Sequence, residues 1–108
     1  MPHVVIVLDE YAPLFIPFKE EAEALLTDLA MYGRNAGIHL ILSTQKLYPE
    51  VVTGMLKANF PSRIAFRTAT AAHSRHLLDH TGAELLRRPG DMLYFPLSAE
   101  KPIPVHGN

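Results

Sequence analysis

Two adjacent carboxylates, Asp9 and Glu10, close the apolar run Val4-Val5-Ile6-Val7-Leu8, and a polar triplet, Ser43-Thr44-Gln45, closes a second run, Ile38-His39-Leu40-Ile41-Leu42. An acidic pair at the tip of a buried strand has the form of a Walker B motif. In that motif the aspartate holds the Mg²⁺ that bridges the β- and γ-phosphates of a nucleoside triphosphate, and the glutamate polarises the attacking water as a general base. Side chains alternate along a strand, so both carboxylates serve one centre only if the backbone bends at the tip. A buried strand that ends in Asp-Glu where a loop begins gives the same heptapeptide, and the motif alone leaves both readings open. His73, His76 and His80 fall at i, i+3 and i+7 with Asp79 beside them, a spacing of N and O donors that suits Zn²⁺ or Ni²⁺. Exposed helices also produce such triads by chance, and no cysteine supports this one. His39, inside a strand, reads as a packed histidine. No G-x-S-x-G elbow accompanies the serines, which argues against a serine hydrolase.

These residues need elements to position them. Both apolar runs are short, rich in β-branched residues and free of polar alternation, the pattern of strands buried on both faces in a parallel sheet. Between them Phe18, Ala22, Leu25, Leu26 and Leu29 share one helical stripe, while Lys19, Glu20, Glu23 and Asp28 lie away from it. Glu20 and Glu21 suit the first turn of that helix and Arg34 its last; Gly37 is its expected stop. Residues 11–17, aromatic and proline-containing, read as a loop. A strand, a helix and a strand make a right-handed parallel unit. That unit brings Asp9, Glu10, Thr44 and Gln45 to one rim, beyond the carboxyl ends of the strands, where ligands collect in open α/β sheets.

Further along, residues 46–49 read as a loop and 50–59 as a helix with Val51, Val52, Met55 and Leu56 turned inward. Residues 62–68 alternate as a strand near a sheet edge, and Thr70 caps a helix over 71–80. After a turn over 83–87, the segments 91–95 and 103–106 pair as a terminal hairpin whose prolines keep it at an edge. The 108 residues are 48% hydrophobic with a formal net charge of −1, which fits a compact fold and gives no basic footprint for autonomous nucleic-acid binding. There is no cysteine, hence neither a disulfide nor a thiolate metal site. The apolar runs are strand-sized, so no membrane span is expected.

The ordered series Asp9-Glu10-Tyr11-Ala12, Arg34-Asn35-Ala36-Gly37-Ile38-His39-Leu40, Ser43-Thr44-Gln45-Lys46, Pro61-Ser62-Arg63-Ile64-Ala65-Phe66, His73-Ser74-Arg75 and Gly90-Asp91-Met92-Leu93-Tyr94 resembles the FtsK/SpoIIIE family of double-stranded DNA translocases. The likeness runs from just before Walker B to the end of the motor core. It implies an α/β fold, an incomplete RecA-like P-loop NTPase core: a mostly parallel sheet flanked by helices, with a C-terminal edge hairpin, forming a single partial domain over 1–108. It also implies a homo-oligomeric, hexameric ring around duplex DNA, driven by ATP with Mg²⁺. Residue by residue, Asp9 matches the Mg²⁺-coordinating aspartate and Glu10 the catalytic glutamate. Gln45, with Thr44, matches the polar sensor of the γ-phosphate. Arg34 is the candidate arginine finger for the neighbouring subunit's nucleotide, with Arg63 the second choice; compensation of a helix dipole is the other reading of Arg34.

The sequence contains no G-x-x-x-x-G-K-[ST], the loop that cradles phosphates. ATP is therefore not expected to bind tightly to this chain alone, and the missing Walker A half of the same protein is an expected partner. The strand carrying that loop would sit between the strands at 38–45 and 63–66, so a gap, a repaired pairing or a swapped partner is expected there. The segment is expected to make no direct membrane contact and to lie on the cytoplasmic side, with the parent anchored in the membrane by an N-terminal region not present here. The loops after the first two strands carry little positive charge for tracking a phosphate backbone. A reading from another class is a non-catalytic structural or assembly module that has lost nucleotide binding.

Overall fold

The computed structural model describes residues 2–107, which divide into two compact units at the Phe60–Pro61 junction. In the first unit β1 (Val4–Asp9) and β2 (Ile38–Ser43) run parallel, with Val4 opposite Ile38 and Asp9 opposite Ser43. The crossover is α2 (Lys19–Tyr32), prolonged by a 3₁₀ turn over Gly33–Ala36 and stopped by Gly37, whose φ of 78° is the left-handed value expected of a C-terminal glycine.

Residues 11–17 are not plain loop. They hold a short helix, α1 (Ala12–Phe15), started by Pro13 in its first turn and held down by burial of Tyr11, Ala12 and Phe15. The helix expected over 50–59 begins later, as α3 (Gly54–Asn59), because the Thr53 hydroxyl accepts the Leu56 N–H at 3.1 Å and fixes the N-cap there. Val51, Val52 and Leu56 are buried as expected, whereas Met55 faces outward. In α2 only Leu26 is fully buried; Phe18 and Leu25, placed on the inward stripe by periodicity, are exposed. β1 is also not covered on both faces. The face carrying Ile6, Leu8, Leu40 and Leu42 is half-buried, while Val5 and Val7 on the other are 58% and 57% exposed. The single crossover helix of a βαβ unit packs on one face of its sheet and leaves the other to be covered by something else.

Tyr11 ties this unit together. Its hydroxyl donates to the Val51 carbonyl at 2.7 Å and its ring meets Phe15 edge to face at 5.6 Å. Burial, with the Glu10 charge adding to it, pushes the Tyr11 hydroxyl up to about 12. Tyr11→Phe leaves the buried Val51 carbonyl without its donor and is expected to cost about 1–3 kcal/mol. Urea unfolding checks this: the midpoint should fall with an unchanged slope, and an unshifted midpoint would refute it.

In the second unit β3 (Arg63–Ala65), β4 (Asp91–Phe95) and β5 (Ile103–His106) form an antiparallel sheet in that order. The terminal hairpin is as expected, but β3 is shorter than the alternating pattern over 62–68. It takes antiparallel β4 as its neighbour, so the strands fall into one parallel pair and one antiparallel triplet and not one mostly parallel sheet. Ala65, Leu78, Ala83 and Leu93 make the core, which turns Ile64 and Phe66 outward. The helix α4 (Ala71–Leu78) is capped by Thr70, whose hydroxyl accepts the His73 N–H at 3.1 Å. It stops two residues before His80 because Asp79 turns left-handed at φ 60°. Ser74, fully buried, donates to the His80 carbonyl at 2.8 Å and accepts the Ala83 N–H at 3.1 Å.

The turn into β4 needs glycine at position 90. Its φ is 91°, and a Cβ there would collide with the Gly107 carbonyl oxygen. Asp91 then locks the hairpin, accepting from the Arg88 N–H at 3.0 Å and sitting 2.7 Å from the His106 ring nitrogen. The Arg88 amide, and behind it the His106 bond and the two side-chain charges, outweigh the effect of burial and hold the Asp91 carboxyl below its ordinary 3.8. A carboxyl lowered in the folded state stabilises above its unfolded value and loses that contribution as pH falls through the folded one. The stability gap between the wild type and Asp91→Asn is therefore expected to be full at neutral pH and to close below about pH 3.8. A gap that does not change between pH 7 and pH 2 in denaturant titrations would contradict this.

Candidate functional site

The bend that the acidic pair requires is present. Glu10 sits at a left-handed φ of 67°, rare for a residue with a side chain, while the next amide, Tyr11 N–H, still reaches the Ser43 carbonyl at 3.0 Å. The turn at Glu10 brings its carboxylate back onto the tip of β2. One oxygen accepts the Gln45 N–H at 2.9 Å and the other the Ala12 N–H at 3.2 Å, and the Thr44 hydroxyl donates to the same carboxylate. The Thr44 oxygen in turn accepts the Lys46 N–H at 2.9 Å. Burial by itself would push the Glu10 carboxyl up, but those three donors and the nearby Lys46 charge hold it below its ordinary 4.5. Glu10 is thus ionised at neutral pH and fixed in place.

Asp9, its neighbour, is exposed at the end of β1 opposite Ser43, with no hydrogen-bond or ion-pair partner among the described residues. A single open carboxylate at a strand end fits Mg²⁺, which is bound by one or two carboxylates and completes its shell with waters and substrate phosphates. Asp9, Glu10, Thr44 and Gln45 therefore converge on one rim. Gln45 engages Glu10 through its backbone and leaves its side chain exposed.

The other candidates lie elsewhere. Arg34 is exposed in the 3₁₀ turn that precedes β2, so the length of that strand, roughly 20 Å, separates it from the tip. Arg63 is engaged within the second unit, donating to the Leu77 carbonyl at 3.2 Å and to Asp79 at 2.8 Å, with its guanidinium 5.9 Å from the Phe95 ring centre. His80 does not extend the helical face of His73 and His76, since α4 has ended; its ring packs edge to face on Phe95. No group of three or more metal-binding side chains forms among the described residues. His39 is not packed inside the sheet but exposed, its ring nitrogen 3.0 Å from that of His3. The residue that sequence reasoning passed over is Tyr11. Its one signal was an aromatic hydroxyl directly after the acidic pair.

A parallel βαβ unit with an acidic tip on one strand and a polar tip on the next defines a segment of a P-loop ATPase motor domain, and solved structures agree. The pCW3 conjugation coupling protein TcpA, solved as a monomer with ATPγS, superposes with a TM-score of 0.84 at 26% identity, covering 98% of this chain and 32% of that one. The cytoplasmic domain of the Thermomonospora curvata type VII secretion ATPase EccC gives 0.85 at 30% identity, covering 98% and 12%. In sequence the chain is similar along its whole length to the FtsK/SpoIIIE DNA translocases. Over 107 residues it is 47% identical to the DNA translocase FtsK of Sporosarcina ureae and to that of Vibrio vulnificus, and 45% identical to the DNA translocase SpoIIIE of Bacillus subtilis. Each match covers 99% of this chain but only 14%, 11% and 14% of the respective relative. No family model matches the chain. No helix among the described residues is long and apolar enough to cross a membrane.

Proposed function

We propose that this chain supplies the magnesium-binding and water-activating edge of an ATP-driven double-stranded DNA translocase motor. The observation that supports it most is the joining of the two strand tips, in which the left-handed turn at Glu10 lays its carboxylate on the Gln45 amide at 2.9 Å beside the open carboxylate of Asp9. In the assembled motor Asp9 would hold Mg²⁺, which would supply positive charge to the nucleotide's phosphates. Glu10 takes the proton of the attacking water. Its three donors keep it charged and oriented, and its two oxygens, with about four lone-pair sites, retain one to accept that proton. Thr44 positions Glu10, and the free side-chain amide of Gln45 reads the γ-phosphate. Arg34, too far from this tip to serve it, acts on the nucleotide of the next subunit. The parent forms a hexameric ring on duplex DNA, on the cytoplasmic side of a membrane that its own N-terminal region reaches.

Joining this chain to a Walker A half tests the reading. DNA-stimulated ATPase is expected to appear in the joined protein and to vanish with Asp9→Ala. Activity that survives this substitution would remove the strand tip from the mechanism. A joined, folded protein without any ATPase would favour an assembly module.

A further inference from the structure

At the end of the β1–β2 pair opposite Asp9 and Glu10, two imidazoles meet. His3 stands just before β1, and His39 is the second residue of β2, paired in register with Val5. Side chains alternate along a strand, so His3 continues the face of Val5 and Val7, which is also the face of His39 and Ile41. The crossover helix leaves that face bare, and Val5, Val7 and Ile41 are each more than half exposed. His3 Nδ1 lies 3.0 Å from His39 Nε2, with the ring centres 5.2 Å apart and the ring planes tilted by 31°. Both residues are open to solvent, where a lone hydrogen bond between side chains adds little to stability because water competes for it. The backbone nevertheless holds the pair in place: the Val4 N–H donates to the Gly37 carbonyl at 2.8 Å, and the parallel ladder sets Val5 opposite His39. Two nitrogens 3.0 Å apart, each about 2.0–2.1 Å from a shared ion, subtend about 90–97° at it. A tetrahedral ion such as Zn²⁺ needs about 3.3–3.4 Å between them. The near-right angle is instead that of neighbouring ligands around square-planar or tetragonal Cu²⁺ and Ni²⁺.

We propose that His3 and His39 form a two-histidine site for a divalent transition-metal ion of square-planar or tetragonal preference, Cu²⁺ or Ni²⁺, which clamps the start of β1 to β2. Imidazole suits both ions, and waters fill the positions that the two rings leave. In the neutral pair one of the facing nitrogens carries the proton of their hydrogen bond. Moving that proton to the other nitrogen of the same ring frees both lone pairs for the ion, with no net proton released. The site lies roughly 20 Å from the strand tips, the length of β1, so the fate of the Asp9 and Glu10 reading does not bear on it. Calorimetric titration of the 108-residue chain with Ni²⁺ tests it. His3→Asn and His39→Asn are each expected to weaken Ni²⁺ by at least about tenfold, because either one breaks the chelate. His73→Asn with His76→Asn, on the other histidine-bearing surface, should leave that affinity unchanged. The two ligands flank different strands, so Ni²⁺ favours the folded chain and raises the urea midpoint, a shift that either single substitution abolishes. Cu²⁺ bound there should give an axial electron paramagnetic resonance spectrum split by two nitrogens, and by one after His3→Asn. Circular dichroism confirms that the variants fold. Ni²⁺ affinity that survives either single substitution, that follows His73 and His76 instead, or that is absent altogether overturns the proposal, and Zn²⁺ held more tightly than Ni²⁺ overturns its geometry.

Discussion

Glu10→Gln in the assembled motor is expected to lower DNA-stimulated ATP hydrolysis by about 10²–10⁴-fold, the range for a general base, and to leave nucleotide affinity nearly unchanged. The substitution keeps the shape of the side chain but removes the charge. A glutamine oxygen still accepts one of the two backbone amides, at Gln45 or Ala12, that the carboxylate takes together, while its NH₂ faces the other. The left-handed turn at Glu10 therefore loses part of its support, and a small drop in stability accompanies the loss of rate. Steady-state ATPase and equilibrium binding of a fluorescent nucleotide separate the two effects. A rate within twofold of the wild type would show that Glu10 is a structural anchor for the β2 tip. Thr44→Ala should then be the informative companion, because it removes the hydroxyl that donates to Glu10 and leaves the carboxylate chemically intact.

Phe15→Ala is expected to destabilise the first unit by about 3–5 kcal/mol, as other deletions of a fully buried phenylalanine do. Only 1% of Phe15 is exposed, and it is the largest wholly buried side chain among the described residues. The helix that carries it has four residues and no side-chain cap, so it has little stability of its own and stands only because Phe15 and Ala12 are packed. Its loss also removes the edge-to-face neighbour of Tyr11, the residue that follows Glu10. The tip should loosen along with the core, and faster hydrogen exchange at the Tyr11 and Gln45 amides would report it. A midpoint shift equivalent to less than about 1 kcal/mol would mean that the site collapses around the missing ring.

Much of the site was legible because it is local. Two apolar β-branched runs, each ending in polar residues, and one helical stretch between them compel a parallel crossover, and that crossover puts Asp9, Glu10, Thr44 and Gln45 on one rim whatever else the chain does. The stop at Gly37, the cap at Thr70 and the closing hairpin were equally local, since each depends on a backbone preference of one or two residues. Which side of an element is buried is a different matter. Periodicity placed Phe18, Leu25 and Leu26 together on the inward stripe of α2, yet Leu26 packs while Phe18 and Leu25 stay exposed; alternation in β3 named two faces but not that Ala65 goes in and Phe66 out.

Sequence alone determined the connectivity of this protein and which polar residues gather at its strand tips, because spacing along the chain dictates both. Tertiary structure decided how the carboxylate of Glu10 is held, why Tyr11 matters, and that His3 and His39 meet. Those outcomes depend on residues twenty or more positions apart meeting in space, and no periodicity in the chain encodes such a meeting.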